Sequence, residues 1–191
     1  MIKVLLGAAA AVGVLAGCGT TTVQAVSTPS ASAAAPAGAT STAKPAQAAT
    51  SAFGTTYRVT GTDDNGNPTV YEVALVKLKK NAQPDNSFDA ASAGKRLVGA
   101  EFKIKGIKGN STDDANNDAD LKGNNSEVYQ PAFDGLAAGT NFNSGTFNVQ
   151  AGAAETGWVS FEVPDHVKVS AIQWNPSSGF GGSTATWTVA P

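Results

Sequence analysis

Apolar and polar side chains alternate strictly in two stretches of this chain. Val98, Ala100, Phe102 and Ile104 alternate with Gly99, Glu101, Lys103 and Lys105. Val159, Phe161 and Val163 alternate with Ser160 and Glu162, and Pro164-Asp165 ends the run. A period of two predicts half-buried β-strands. Shorter runs follow the same rule. Tyr71, Val73 and Leu75 lead into Lys77, Lys79 and Lys80. Phe147 and Val149 mark one strand, Val167 to Trp174 another, and Ala185, Trp187 and Val189 the last. Tyr57-Val59 and Val128-Tyr129 are weaker candidates. Clusters of Asp, Asn, Gly and Ser at 64–67, 110–125 and 177–183 predict the connections. Residues 85–94 have room for a turn or two of helix at most.

Seven or eight short strands with turn signals between them predict an all-β domain. An immunoglobulin-like antiparallel β-sandwich is the expected architecture, with a closed barrel as the alternative. The strands lie between Phe53 and Pro191, about 140 residues. A domain of that size buries roughly two-thirds of its unfolded surface.

The first residues follow a different rule. Lys3 precedes an uncharged apolar run from Val4 to Ala16, and Leu15-Ala16-Gly17-Cys18 follows. A basic start, an apolar middle and a small-residue end make a secretory leader, shorter than the ~20 apolar residues of a membrane span. The last four residues resemble the lipobox of bacterial lipoproteins. That resemblance implies cleavage before Cys18 and diacylation of its sulfur, hence a mature protein anchored on the outer face of the cell membrane. A plain signal peptide with an incidental cysteine and a single membrane anchor are the alternatives. Cys18 is the one cysteine of the chain, so no disulfide is available to the exported domain.

Residues 19–52 are nearly all Ala, Thr, Ser, Pro and Gly, with Lys44 their one charge. Such a segment buries too little apolar surface to offset its conformational entropy, which predicts a disordered linker over 18–52. A flexible tether of that length spans on the order of 30 Å. Ser and Thr beside Pro also suit O-glycosylation.

The chain carries 13 basic and 15 acidic residues. With Lys3 and Lys44 set apart, the folded portion is left near −4, a balance that argues against a nucleic-acid partner.

The order of motifs has a family resemblance. Gly94-Lys95-Arg96-Leu97-Val98 leads into Phe102-Lys103-Ile104-Lys105. An Asp/Asn-rich loop follows, then Gly157-Trp158-Val159-Ser160-Phe161-Glu162-Val163-Pro164, then Gly179-Phe180 and Trp187. This resembles an uncharacterised lipoprotein domain of actinobacteria and other Gram-positive bacteria, similar in fold to the mycobacterial immunoprotective extracellular protein. The resemblance implies an immunoglobulin-like sandwich and no particular activity. One departure is Lys105-Gly106-Ile107-Lys108-Gly109, where relatives commonly turn at Asn-Thr-Gly.

Candidate chemistry is sparse. Asp114, Asn116, Asp118 and Asp120 space oxygen ligands two apart, as in the first half of a calcium loop, with Asp113 beside them. The second half fails: Ala119 replaces the expected glycine and Asn125 the bidentate glutamate. An exposed turn is the competing reading, and no cofactor is expected. His166, the one histidine, follows Pro164-Asp165 in a turn, with no nucleophile elbow anywhere. A non-catalytic binding or interaction module is therefore expected, with an envelope enzyme or inhibitor whose site the sequence hides, or a calcium-dependent module, as the alternatives. Lys77, Lys79, Lys80, Lys103, Lys105 and Lys108 suit either a wall-polymer stripe or solvent-side edge protection. Trp158 points opposite to Val159, Phe161 and Val163. It is either an exposed partner-binding aromatic or a residue covered by a loop. Expected partners are the membrane through Cys18, and an envelope protein, wall polymer or host molecule.

Overall fold

The computed structural model describes residues 21–26, 49–63, 65–142, 145–181 and 183–190, with backbone alone at 49–52. Cys18 and residues 27–48 lie outside the described residues. Twelve strands run in chain order as β1 (Thr22–Ala25), β2 (Ala49–Ala52), β3 (Thr56–Thr62), β4 (Pro68–Ala82), β5 (Lys95–Lys108) and β6 (Asn110–Asp114). A single helical turn, α1 (Ala115–Asp118), follows. Then come β7 (Ala119–Gly123), β8 (Val128–Tyr129), β9 (Thr146–Gln150), β10 (Ala154–Pro164), β11 (Val169–Trp174) and β12 (Ala185–Thr188). One sheet has the order β1-β3-β4-β5-β10, the other β2-β12-β11-β7-β8, and β6 pairs with β9 separately. The expected β-sandwich is what forms, and its named strand pairs are antiparallel except β2 with β12.

The alternation sets the two faces. Val98, Ala100, Phe102 and Ile104 are fully buried, and Val159, Phe161 and Val163 lie beside them. Register places Phe102 between Leu75 on β4 and Gly157 on β10. From the second sheet, Leu121, Ile172, Trp174 and Trp187 pack back onto this surface. Phe102 meets Trp174 at 4.9 Å and Trp187 at 5.8 Å between ring centroids. The polar tips of the aromatics find partners inside. Tyr57 donates its hydroxyl to the carbonyl of Thr186 at 2.8 Å, and Trp187 Nε1 donates to the carbonyl of Thr55 at 2.7 Å. Burial of each large side chain contributes roughly 1.5–3 kcal/mol.

Two expectations need correction. The linker expected over 18–52 contains β1 and β2. Thr22-Val23-Gln24-Ala25 alternates too, and Val23 is 6% exposed while β1 pairs along β3. Burying one valine and a row of backbone hydrogen bonds is enough to fix four residues. The polar stretch 110–125, expected as a connection, holds β6, α1 and β7. Its apolar positions Ala115, Ala119 and Leu121 are fully buried, hidden in sequence among Asp and Asn. The 3-10 turn at Ser87–Asp89 is all the helix found in 85–94. At the departure from the family pattern, β5 runs on to Lys108, and Gly109 turns the chain at φ 69°.

Candidate functional site

β4 and β5 run the length of the first sheet, so its two ends are distinct. At one end the hairpin joining β3 to β4, the start of β1, the strand β6 and the loop after β11 enclose a cleft of about 220 Å³. Thr21, Thr62, Asp63, Asn65, Asn110, Thr112, Asp113 and Ser177 make its walls, and Val59, Tyr71 and Ser111 are also part of its lining. Local geometry explains the hairpin wall. Asp63 Oδ1 accepts from the backbone N–H of Asn65 and Asn67 at 2.9 and 2.8 Å, and Oδ2 accepts from Asn67 Nδ2. These bonds hold the Asp63 carboxyl below its ordinary pKa, the Asn67 side chain most of all.

The unusual residue is Asp118, fully buried at the end of α1. Its Oδ1 accepts from the backbone N–H of Ser178 at 2.8 Å. Its Oδ2 has no donor within the structure. The polar group beside it is another carboxyl, that of Asp113, whose Oδ2 accepts from the backbone N–H of Ser177 at 3.0 Å. Two carboxylates repel, and they hydrogen-bond only when a proton sits between them. Burial first, and then the Asp113 charge, push Asp118 up to about 9. Asp118 therefore keeps its proton at neutral pH. Tyr71 is part of the same group. Its phenol accepts from Trp174 Nε1 at 3.1 Å, and burial plus the nearby Asp118 raise it well above the ordinary tyrosine value. Ser111 Oγ, in the cleft lining, is a second buried oxygen without a partner.

The four residues spaced as calcium ligands do not meet at one point. Asp114 caps α1, accepting from the backbone N–H of Asn116 at 2.9 Å and from Asn117 Nδ2 at 3.2 Å. Asn116 lines a separate hollow beside Phe142 and Trp158. Asp118 turns inward. Asp120 faces the other side of β7, accepting from Gln130 Nε2 at 2.6 Å and Asn175 Nδ2 at 2.7 Å. The alternation that suggested a loop of ligands is broken by α1, which rotates successive side chains by about 100° each. Among the described residues no three His, Cys, Asp or Glu side chains group as a metal site.

Trp158, which the sequence left either exposed for a partner or covered by a loop, is covered, at 3% exposed. The segment following β8 folds over the outer face of β5 and β10, and Leu136 and Leu97 pack with Trp158 beneath it. Gly99 makes this possible, because a Cβ there would stand 2.7 Å from Leu136 and 3.0 Å from the indole. Lys79 Nζ lies 5.6 Å from the indole centroid. The lysines also form no uniform stripe. Lys77 pairs with Glu101 at 3.1 Å, and Lys80 reaches the Ala190 carbonyl. His166 is exposed in the turn after β10, which joins the two sheets at the end away from the cleft. No local pattern marks Tyr71 and Ser177 as site residues. Ser111 and Asp113 had one available, since both fall on the same face of a period-two strand.

No family model and no curated protein matches the chain. Among solved structures it is similar to MPT63, a secreted protein of Mycobacterium tuberculosis, at 20% identity over 75% of this chain and 99% of that one, with a TM-score of 0.53. The YjhA protein of Bacillus subtilis aligns at 14% identity over 63% and 91% of the two chains, TM-score 0.44. A functionally unknown protein of Listeria monocytogenes aligns at 15% over 70% and 78%, TM-score 0.40. The likeness to MPT63 is one of fold: this chain is built on the same β-sandwich architecture.

Proposed function

We propose that the chain is an exported protein held on the outer face of the cell membrane through acyl chains on Cys18, and that its sandwich is a non-catalytic binding module whose ligand enters the cleft. The observation that carries the binding reading is the pairing of buried Asp118 with half-buried Asp113, which lines the cleft. Folding retains two carboxyls and two unpartnered oxygens there, an arrangement that costs stability and that a purely structural end would not need. The secreted character of MPT63 agrees with the leader read from the sequence. The cleft walls are rich in acceptors: the carboxylates of Asp63 and Asp113, amide oxygens and hydroxyls. Such walls suit a polar ligand that offers N–H or O–H donors, as the amino and hydroxyl groups of a wall polymer do. The position of His166, exposed and away from the cleft, supports a module without acid–base catalysis.

Two measurements test this. Cys18→Ser is expected to move the protein from the membrane fraction to the medium or to leave an uncut precursor; unchanged processing and membrane retention contradict the anchor. The same soluble variant is then titrated with purified wall fragments. Thr112→Trp, at an exposed cleft position, is expected to abolish binding without changing the melting temperature. Binding equal to the parent's would remove the cleft from the account.

A further inference from the structure

We infer that the cleft end of the sandwich rests on the lipid surface, with the loop 176–181 as its contact and Phe180 in the boundary between headgroups and acyl chains. This rests on the lipid anchor proposed above and adds the orientation and distance of the domain.

Thr21 is already part of the domain. Its hydroxyl bonds that of Ser177 at 3.2 Å, and a Cβ on Gly181 would stand 3.1 Å from its Cβ. Two residues on, the backbone N–H of Val23 donates to Ser183 Oγ at 2.8 Å. Three peptide units separate Cys18 from Thr21. At full extension they reach about 11 Å. A tether of ~30 Å, as the composition of the linker suggested, therefore does not lie between anchor and domain. Residues 27–48 instead connect β1 to β2 of the same sandwich.

The loop that Thr21 touches is built to project an aromatic ring. Phe180 is 91% exposed. Ser177, Ser178 and Gly179 all take left-handed backbone, with φ of 57°, 53° and 83°. Two consecutive non-glycine residues in that region are costly and persist only where surroundings hold them. Two carboxyls supply the hold: half-buried Asp113 accepts from the N–H of Ser177, and buried Asp118 from that of Ser178. The loop closes with the N–H of Phe180 bonded to the Ser177 carbonyl, and that of Gly181 to the Pro176 carbonyl, at 3.0 and 3.1 Å. A braced loop holding one phenyl ring in water, next to the residues that lead to the anchor, fits an interfacial contact. The nearby charges are the carboxylates Asp63 and Asp113, so attraction to anionic headgroups is not what seats it. The acyl chains supply the affinity and the loop sets the orientation. The cleft, walled by Thr21 and Ser177, then meets its ligand at the membrane surface.

The test uses the acylated full chain in phosphatidylglycerol–phosphatidylethanolamine vesicles containing a spin-labelled phospholipid. Acylation blocks Cys18, so Phe180→Cys and Phe88→Cys each offer one thiol for a fluorophore. Phe88 is 95% exposed and follows the far end of β4, so both substitutions leave packing alone. The label at 180 is expected to lose fluorescence to the spin label while the label at 88 does not. Equal fluorescence at both positions on floating vesicles, or loss at 88 alone, overturns this inference and leaves the anchor intact. A chain that fails to float with the vesicles overturns the anchor, and this inference with it.

Discussion

The two ends of the sandwich treat buried charge in opposite ways. Away from the cleft, the Arg96 guanidinium sits half-buried among backbone carbonyls. It donates to those of Lys80, Pro164, Asp165 and Val167 at 2.9, 2.8, 3.2 and 2.7 Å. The carbonyls it satisfies lie near the end of β4 and at the end of β10 and the turn that follows. At the cleft end Asp118 receives one backbone N–H, leaves one oxygen without a donor and faces a second carboxyl. The contrast shows which end is organised for stability alone. A cation satisfied by carbonyls ties the loops after β4 and β10 together. An acid satisfied by half of what it can accept, beneath an open cleft, spends folding free energy to keep chemistry available.

Changes at these places separate the two ends. Phe102 belongs to neither, and sets the scale. Phe102→Ala opens a cavity between Trp174 and Trp187 and should cost ~3–5 kcal/mol, read by denaturant unfolding. That is a large part of a total of ~5–15 kcal/mol. Arg96→Met should cost ~2–3 kcal/mol by stranding several carbonyls, with no change in wall-fragment binding. Binding lost together with stability would mean that the two ends act as one unit. Removal of residues 1–52 strips β1 and the Thr21 wall. It should cost ~1.5–3 kcal/mol beyond removal of residues 1–20, chiefly through the lost burial of Val23. Equal melting temperatures for the two truncations would return β1 to the linker.

The sequence made the middle of the molecule readable and left its cleft end obscure, for physical reasons. In β5 and β10 one face is core and the other polar, so alternation reports burial directly. In β6 and β7 the apolar positions are alanines and one leucine, and an aspartate enters the interior at 118. Nothing local distinguishes that carboxyl from its half-buried neighbours Asp114 and Asp120. Its burial is decided by Trp174, Tyr71 and the loop at Ser178, all distant in sequence. Trp158 illustrates the converse. Alternation located its face correctly, but the covering segment around Leu136 has no period of its own. β1 escaped notice because a single valine marks its buried face.

Asp118 is held neutral inside the cleft end, with the Asp113 carboxyl beside it. Its folded value of about 9 exceeds the ordinary 3.8. Folding therefore takes up a proton between these limits. The stability this proton contributes is complete below the lower limit and is lost as pH rises through the upper one, at about 1.4 kcal/mol per pH unit. Asp118→Asn keeps an acceptor for Ser178 and leaves nothing to titrate at that position. The decisive measurement is the unfolding free energy of parent and Asp118→Asn from pH 4 to pH 9. The account predicts curves that meet near pH 4 and diverge upward, the variant more stable by ~2–4 kcal/mol near pH 7.5. Parallel curves, or a variant less stable than the parent at neutral pH, would contradict it.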